Sequence, residues 1–238
     1  ILSTYKMDSN TVIISEVTEI DQSVPTSSTV YLATTADVSN SASATDEKTI
    51  FKMNTSYIHD RFIPKFSFVV ICSLWINVTA VSASANVDVK DGRRILGGGD
   101  VGRYDWNNYS YTDGIADAAW GTAGAANTSS DIYSTGLAAS SFSISTTGAK
   151  WISLDTTWIN RWIRTTNQNF FLLMEVTSGN TNGFTMSSND DGTAANRPRI
   201  LYYFRSWTPI NNKSNHIQRR GVISNIRGRA RQGTHQND

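Results

Sequence analysis

The stretch Phe66–Val81, FSFVVICSLWINVTAV, is the longest apolar run of the 238-residue chain. It is rich in β-branched and aromatic residues, which favour extended strands. From Trp75 to Val81 its side chains alternate in the two-residue period of a strand with one buried face. Because it is short and interrupted by polar residues, a membrane span is excluded for it. The run predicts either a pair of strands or one long, bent strand.

The composition of the whole chain agrees with a β protein. Hydrophobic residues make up 39% of it and charged residues only 17%, so Ser, Thr, Asn and Gly supply most of the polarity. This bias is typical of extracellular β proteins. The single cysteine, Cys72, excludes an internal disulfide framework and a cysteine-rich zinc site. The three histidines are scattered, which argues against a histidine-built metal site.

Further β-favouring runs follow one another at short spacing. They are Thr11–Val17, Thr29–Ala36, Thr49–Met53, Trp151–Leu154, Phe170–Val176, Phe184–Ser187 and Arg197–Phe204. Between them, Asp155–Arg164 places apolar residues on one face of a short helix, with Asp155 or Thr156 as its cap. We therefore predict an all-β, jelly-roll-like β-sandwich with one short helix over residues 28–207. An extended N-terminal arm, residues 1–27, and a basic C-terminal arm, residues 208–238, flank it.

The order of several short motifs resembles a known family. Asp155–Thr156–Thr157 is followed by a helical turn with Trp162, and Arg197–Pro198 by a final strand with Tyr202 and Tyr203. This order is similar to that of the DNRLRE-type domain, a β-sandwich module of bacterial and archaeal surface proteins that includes polysaccharide-binding members. The resemblance covers about residues 30–204. It implies a non-catalytic surface module.

The sequence of residues 101–149 predicts a long, irregular segment, and it contains many aromatic residues. Trp106, Tyr109, Tyr111 and Trp120 lie among Gly, Asn and Asp, and we take these four residues as the candidate glycan-binding site. The alternative is that they form a small core under their own loop. A second aromatic group, Trp151, Trp158 and Trp162, could also stack on sugars, but its helical spacing favours a place in the core.

Metal and catalytic motifs are weak. Asp100, Asp105, Asp113 and Asp117 supply oxygen atoms of the kind that Ca²⁺ prefers, but no spacing resembles an EF-hand loop, so we expect no cofactor and keep calcium as an alternative. The chain has no nucleophile-elbow motif and no phosphate loop, and Cys72 lies in an apolar run where an inert thiol is expected. We predict that the protein is not an enzyme.

The C-terminal arm differs in charge from the rest of the chain. From Lys213 to Asp238 there are six basic residues and one acidic residue, whereas residues 1–212 carry a net charge of −4. The arginines of the arm are Arg219, Arg220, Arg227, Arg229 and Arg231. Since no aromatic residues interleave for base stacking, we favour docking on an acidic partner protein over contact with nucleic acid.

Two functional hypotheses follow. The first is a structural protein of a surface assembly, such as a phage capsid decoration, tail or fibre subunit or a cell-surface subunit, with other subunits of the assembly as partners. The second is a free-standing polysaccharide-binding or adhesive module, with an extracellular or cell-surface polysaccharide as its partner. Both predict an extracellular location, on a virion or on a cell. The flanking arms favour the first hypothesis, and the family resemblance favours the second.

Overall fold

The structure, a computed structural model, describes residues 5–14, 16–25, 33–40, 46–54, 67–93, 105–112, 115–164, 169–177 and 182–207. Their elements in chain order are β1 (Tyr5–Ile13), β2 (Glu16–Asp21), β3 (Thr35–Asn40), β4 (Glu47–Asn54), β5 (Ser67–Ala83), β6 (Ala85–Gly92), β7 (Asn108–Thr112), β8 (Ile115–Ala119), β9 (Ile132–Ile144), β10 (Gly148–Leu154), α1 (Thr156–Arg164), β11 (Asn169–Val176), β12 (Asn182–Ser187), a 3₁₀ turn (Ala194–Asn196) and β13 (Arg199–Trp207).

Most of the described strands belong to one curled antiparallel sheet. Its order is β1-β13-β5-β12-β3-β4-β11-β6-β9, with β10 paired to β5 and β2 paired to β4. Strands β7 and β8 form a separate hairpin. The described part of the chain is thus mostly β with one short α-helix, which confirms the predicted all-β, sandwich-like fold.

Of the two alternatives for the opening stretch, the structure has the single long strand: β5 runs over 17 residues from Ser67 to Ala83. It pairs with β10 along one edge and with β13 and β12 along the other. Its inward-facing side chains, Leu74, Ile76 and Val78 among them, enter the main hydrophobic core. We call this side of the sheet the inner face. Across the core, β11 contributes Leu172 and Met174.

A second core lies on the opposite side of strands β4 and β11. Ile50, Phe171 and Leu173 alternate with the inward residues of these strands and pack against Trp106 and Trp120. The segment before β9 therefore covers this side of the sheet. Because both faces of β11 are buried, its residues 170–174 form a continuous apolar run rather than an alternating one.

The structure differs from three of the predictions made from the sequence. Residues 101–149 were expected to be mostly loop, but they include the hairpin of β7 and β8 and the strand β9, in which seven of 13 residues are Ser, Ala or Gly. The run Thr11–Val17 is divided between β1 and β2. The N-terminal arm is also shorter than predicted, since Val17 and Ile20 of β2 are buried in the two cores and β2 pairs with β4.

The helix agrees with its prediction. Helix α1 begins at Thr156, and the Asp155 carboxylate accepts hydrogen bonds from the backbone N–H and the hydroxyl of Thr157, both at 2.7 Å. These bonds, the side-chain one first, hold the pKa of Asp155 below its usual range. Asp155 therefore acts as the N-cap that the sequence indicates.

The chain divides into two compact units, residues 7–206 and residues 1–6 with 207–238. Of the second unit, the structure describes residues 5, 6 and 207 alone. The predicted basic arm, including Arg219, Arg220, Arg227, Arg229 and Arg231, lies outside the described residues. None of the helices in the described ranges is long and apolar enough to cross a membrane.

Candidate functional site

The aromatic residues of the loop before β9 are placed mainly in the second core. Trp106 and Trp120 are 8% and 6% exposed. Tyr109 lies partly buried against Trp120, with 5.4 Å between ring centroids, and Trp120 meets Phe171 edge-on at 5.7 Å. The side chain of Tyr111 lies outside the described residues. With their ring faces covered, Trp106 and Trp120 offer no surface for sugar stacking in this conformation, and the small-core alternative describes them better.

Polar groups fix this loop from within. The Asp131 carboxylate, fully buried, accepts hydrogen bonds from the backbone N–H groups of Gly121, Thr122 and Asn127 at 2.8–3.2 Å. Asp105, also fully buried, accepts from the N–H groups of its neighbours at positions 107 and 108. These carboxylates are therefore used to satisfy the backbone of the loop.

The calcium alternative depended on four aspartates. Asp105 is committed to the hydrogen bonds just described, whereas Asp100 and Asp113 and the side chain of Asp117 lie outside the described residues. The sequence did not single out a different acidic group, Glu19, Asp37 and Glu47, whose ligand atoms lie within 4.8 Å of one another. These residues come from β2, β3 and β4, and only strand pairing brings them together.

The carboxylates of this group have unusual protonation. The pKa of Glu19 is raised to about 7, mainly because its carboxyl group is buried. The nearby charges of Asp37, Glu47 and Asp21 also raise this pKa. A hydrogen bond from the Asp37 backbone N–H to Glu19 Oε2, at 2.8 Å, acts in the opposite direction. Burial also raises the pKa of Glu47. Three oxygen ligands are fewer than the six to eight that Ca²⁺ takes.

A charged cluster borders the second core. Glu175 of β11 contacts Lys48 at 3.1 Å and also pairs with Lys90. Burial alone would raise the pKa of Glu175, but the two lysines lower it below its usual value. Lys48 Nζ lies 5.3 Å from the centroid of the Trp106 ring and donates to the Gly124 carbonyl at 3.1 Å. This cluster therefore ties the loop to the sheet.

Cys72 lies in the main core and is 2% exposed. Burial raises the pKa of its thiol to about 12. Burial therefore favours the protonated thiol at neutral pH, which agrees with the buried thiol that the sequence led us to expect.

The feature that the sequence analysis missed is the outer face of β10, β5 and β13. In the register, Trp75 of β5 lies between Trp151 of β10 and Arg199 of β13. Trp151 is 54% exposed, contrary to the core position that its sequence spacing favoured, whereas Trp158 of α1 is buried at 2%. The side chain of Trp162 lies outside the described residues. We call Trp151, Trp75 and Arg199 the aromatic row.

The physical reason for the exposure of Trp151 is strand alternation. Ile152 and Leu154 of β10 point into the main core, so Trp151 and Ser153 must point outward. The helical spacing that links Trp151 to Trp158 has no meaning here, because β10 ends at Leu154, before the helix begins. The two-residue period of a β-strand, applied to this segment, predicts an outward-facing Trp151.

The other end of the same face is apolar. Phe68 and Ile71 of β5 are 42% and 51% exposed. In the register, Tyr203 lies beside Ile71 and Arg205 beside Phe68. We call Phe68, Ile71 and Tyr203 the apolar end. The outer face thus carries two adjoining groups of large side chains, the aromatic row and the apolar end, and the apolar end consists of two aromatic residues and one isoleucine.

No protein-family model matches this sequence, and no curated protein matches it either. The resemblance to the DNRLRE-type domain therefore stays a prediction.

Proposed function

We propose that this chain is a non-catalytic structural subunit of an extracellular surface, on a virion or on a cell, and that it acts through contacts with other subunits. The observation that supports this most is the outer face of β5, which leaves Phe68 and Ile71 about half exposed beside Tyr203. Contiguous exposed apolar side chains are a feature of protein interaction sites. Contact with another subunit would bury them.

Several of the described polar groups support the same proposal. The buried carboxylates Asp105 and Asp131 hold the loop backbone, and Glu175 is paired with two lysines. The buried Cys72 thiol is held in its protonated form. The carboxylates are held by hydrogen bonds or ion pairs within the fold, and the thiol lies in the main core. Both arrangements suit a rigid subunit.

Sedimentation velocity of the full chain tests this function. We expect the parent to form oligomers, and Ile71→Ser to shift the population towards monomer because it places a hydroxyl in the buried contact. The matched control is Val24→Ser, which changes a 44% exposed residue outside strands β5, β10 and β13. A parent that remains monomeric at high concentration, or equal effects of the two variants, would contradict the proposal.

A second candidate function is a free-standing polysaccharide-binding module. The exposed Trp151 ring favours it, because large aromatic faces bind the apolar faces of sugars. This candidate needs a site other than Trp106 and Trp120, whose rings are buried.

A further inference from the structure

The three parts of the aromatic row have different surroundings. Trp75 is 7% exposed and supports its neighbours, whereas the Trp151 ring stands mostly in solvent. The two indole rings meet edge-on, with 6.4 Å between centroids and 64° between planes. This contact limits the rotation of the Trp151 side chain. Part of the entropy cost of fixing the ring is therefore incurred when the protein folds and not when a ligand binds.

Arg199 is held on the other side of Trp75. Its guanidinium carbon lies 4.0 Å from the centroid of the Trp75 ring, and its Nη1 donates to the Ala195 carbonyl at 3.2 Å. A guanidinium fixed in this way keeps its planar set of donors in one orientation, which suits carboxylate and sulfate groups. Arg199 and Trp151 are two strand spacings apart, about 10 Å, so a ligand that contacts both must extend across the strands.

The charged residues of the three strands that carry the aromatic row are all basic. None of β5, β10 and β13 contains Asp or Glu, whereas they contain Lys150, Arg199 and Arg205. The Lys150 amine is directed to the turn before β10, where it contacts Thr146 and Thr147. The outer face therefore favours an anionic ligand at the position of Arg199.

Small polar side chains flank the row. Ser73 and Ser153 are paired in the register on one side of it, and Asn77 and Ala149 on the other. Ser73, Ser153 and Asn77 carry hydroxyl and amide groups, which are suited to the many hydroxyls of a sugar, and the Asn77 amide also donates to the Ser187 hydroxyl at 3.3 Å.

We propose that the aromatic row binds an anionic polysaccharide, with one sugar ring stacked on Trp151 and an acidic substituent paired with Arg199. This inference rests on the second candidate function and assigns it a ligand class and a site. The structural role, which uses the apolar end, does not depend on it.

Binding of the full chain to two matched polymer pairs tests this proposal. Polygalacturonate is compared with its carboxyl-reduced form, and dextran sulfate with dextran, by calorimetry at low and raised salt. We expect one of the anionic polymers to bind at least about tenfold more tightly than its neutral counterpart, with raised salt weakening it. The two pairs separate recognition of a carboxylate from recognition of a sulfate.

Four variants locate the site. Trp151→Ala should weaken binding by about tenfold or more, whereas Phe68→Ala, an aromatic change at the other end of the face, should not. Arg199→Gln should remove the preference for the anionic polymer, whereas Arg205→Gln on the same strand should preserve it. Thermal melting checks that each variant is folded, and Arg199→Met, which also removes the charge and keeps the long side chain, replaces Arg199→Gln if that variant is not.

The outcomes separate the site from the function. If the parent binds none of the four polymers, the inference and the carbohydrate-binding candidate both fail. If the parent binds but Trp151→Ala binds equally well, the site is wrong and carbohydrate binding stands. Equal binding to charged and neutral polymers overturns the anionic class. If Trp151→Ala alters self-association and leaves polymer binding unchanged, the row belongs to the subunit contact instead.

Discussion

At the scale of single residues, the main core contains a buried tyrosine hydroxyl. Tyr202 of β13 is fully buried, and its hydroxyl has no hydrogen-bond partner among the described residues. In the register it lies opposite Cys72, which is also buried. An unsatisfied buried hydroxyl costs stability, whereas a ring of the same shape without it does not.

We therefore expect Tyr202→Phe to raise the free energy of unfolding by about 1 kcal/mol, because the desolvation cost of the hydroxyl is removed. Urea denaturation of both proteins gives this difference. Tyr203→Phe is the matched control, since that neighbouring side chain is partly exposed and its change should have little effect. A clear loss of stability in Tyr202→Phe would show that the hydroxyl has a partner in solution.

The carboxylate of Glu19 makes stability depend on pH. Its pKa of about 7 in the folded protein is above the ordinary value of 4.5, so the folded state holds this proton more tightly than the unfolded state. The resulting stabilisation is complete below pH 4.5 and is lost as the pH rises through 7. Asp37, Glu47 and Asp21, on the same three strands, are the acidic groups that contribute to the shift.

Glu19→Gln removes this dependence. The variant should gain about 3 kcal/mol relative to the parent between pH 4.5 and pH 8, because the parent must ionise a buried group over that range. Denaturation curves at four or five pH values measure the difference. A constant difference across the range would contradict the raised pKa of Glu19.

At the scale of elements, the loop before β9 acts as a cover for the sheet. Trp120 packs on Phe171 and donates from its ring N–H to the Asp105 carbonyl at 2.9 Å. Gly124, with a φ of +73°, brings the backbone so close to Trp106 that an added Cβ would lie 2.6 Å from the ring. The aromatic residues and the turn residues of this loop therefore serve the same packing.

Trp120→Ala should lower the free energy of unfolding by roughly 3–5 kcal/mol, as expected when a large buried aromatic side chain is removed. Trp151→Ala is the matched control, because that ring is mostly exposed and its removal should leave the melting temperature nearly unchanged. If Trp120→Ala melts like the parent, the loop does not pack on the sheet in solution.

At the scale of the whole molecule, assembly and folding should be separable. The main core lies within residues 7–206, and the basic arm follows it. We expect a chain that lacks Lys213–Asp238 to fold but to lose assembly. The deletion removes the five arginines that, in the parent, would contact an acidic partner surface.

Sedimentation of the parent and truncated chains at low and high salt checks this prediction. Raised salt should weaken assembly of the parent, because exposed charges are screened. A full-length chain with the five arginines changed to glutamine controls for the loss of chain length. Equal assembly of the truncated and parent chains would contradict a role for the arm.

The sequence alone was enough to predict the fold class. The alternation in β5, the Asp155 cap of α1 and the short strands after it depend on local preference and periodicity, and the structure has them where they were expected. Strand β9 was missed because its Ser, Ala and Gly residues resemble a loop, and only pairing with β6 shows it as a strand.

The position of the candidate site was decided by tertiary structure. Trp151, Trp75 and Arg199 are far apart in the chain, and the pairing of β10 and β13 with β5 makes them neighbours. Likewise, aromatic residues in a polar loop indicate either a binding surface or a small core, and only the packing of Trp106 and Trp120 on β4 and β11 distinguishes the two. Composition and periodicity determine which residues can be buried, whereas strand order determines which residues meet and which face stays in water.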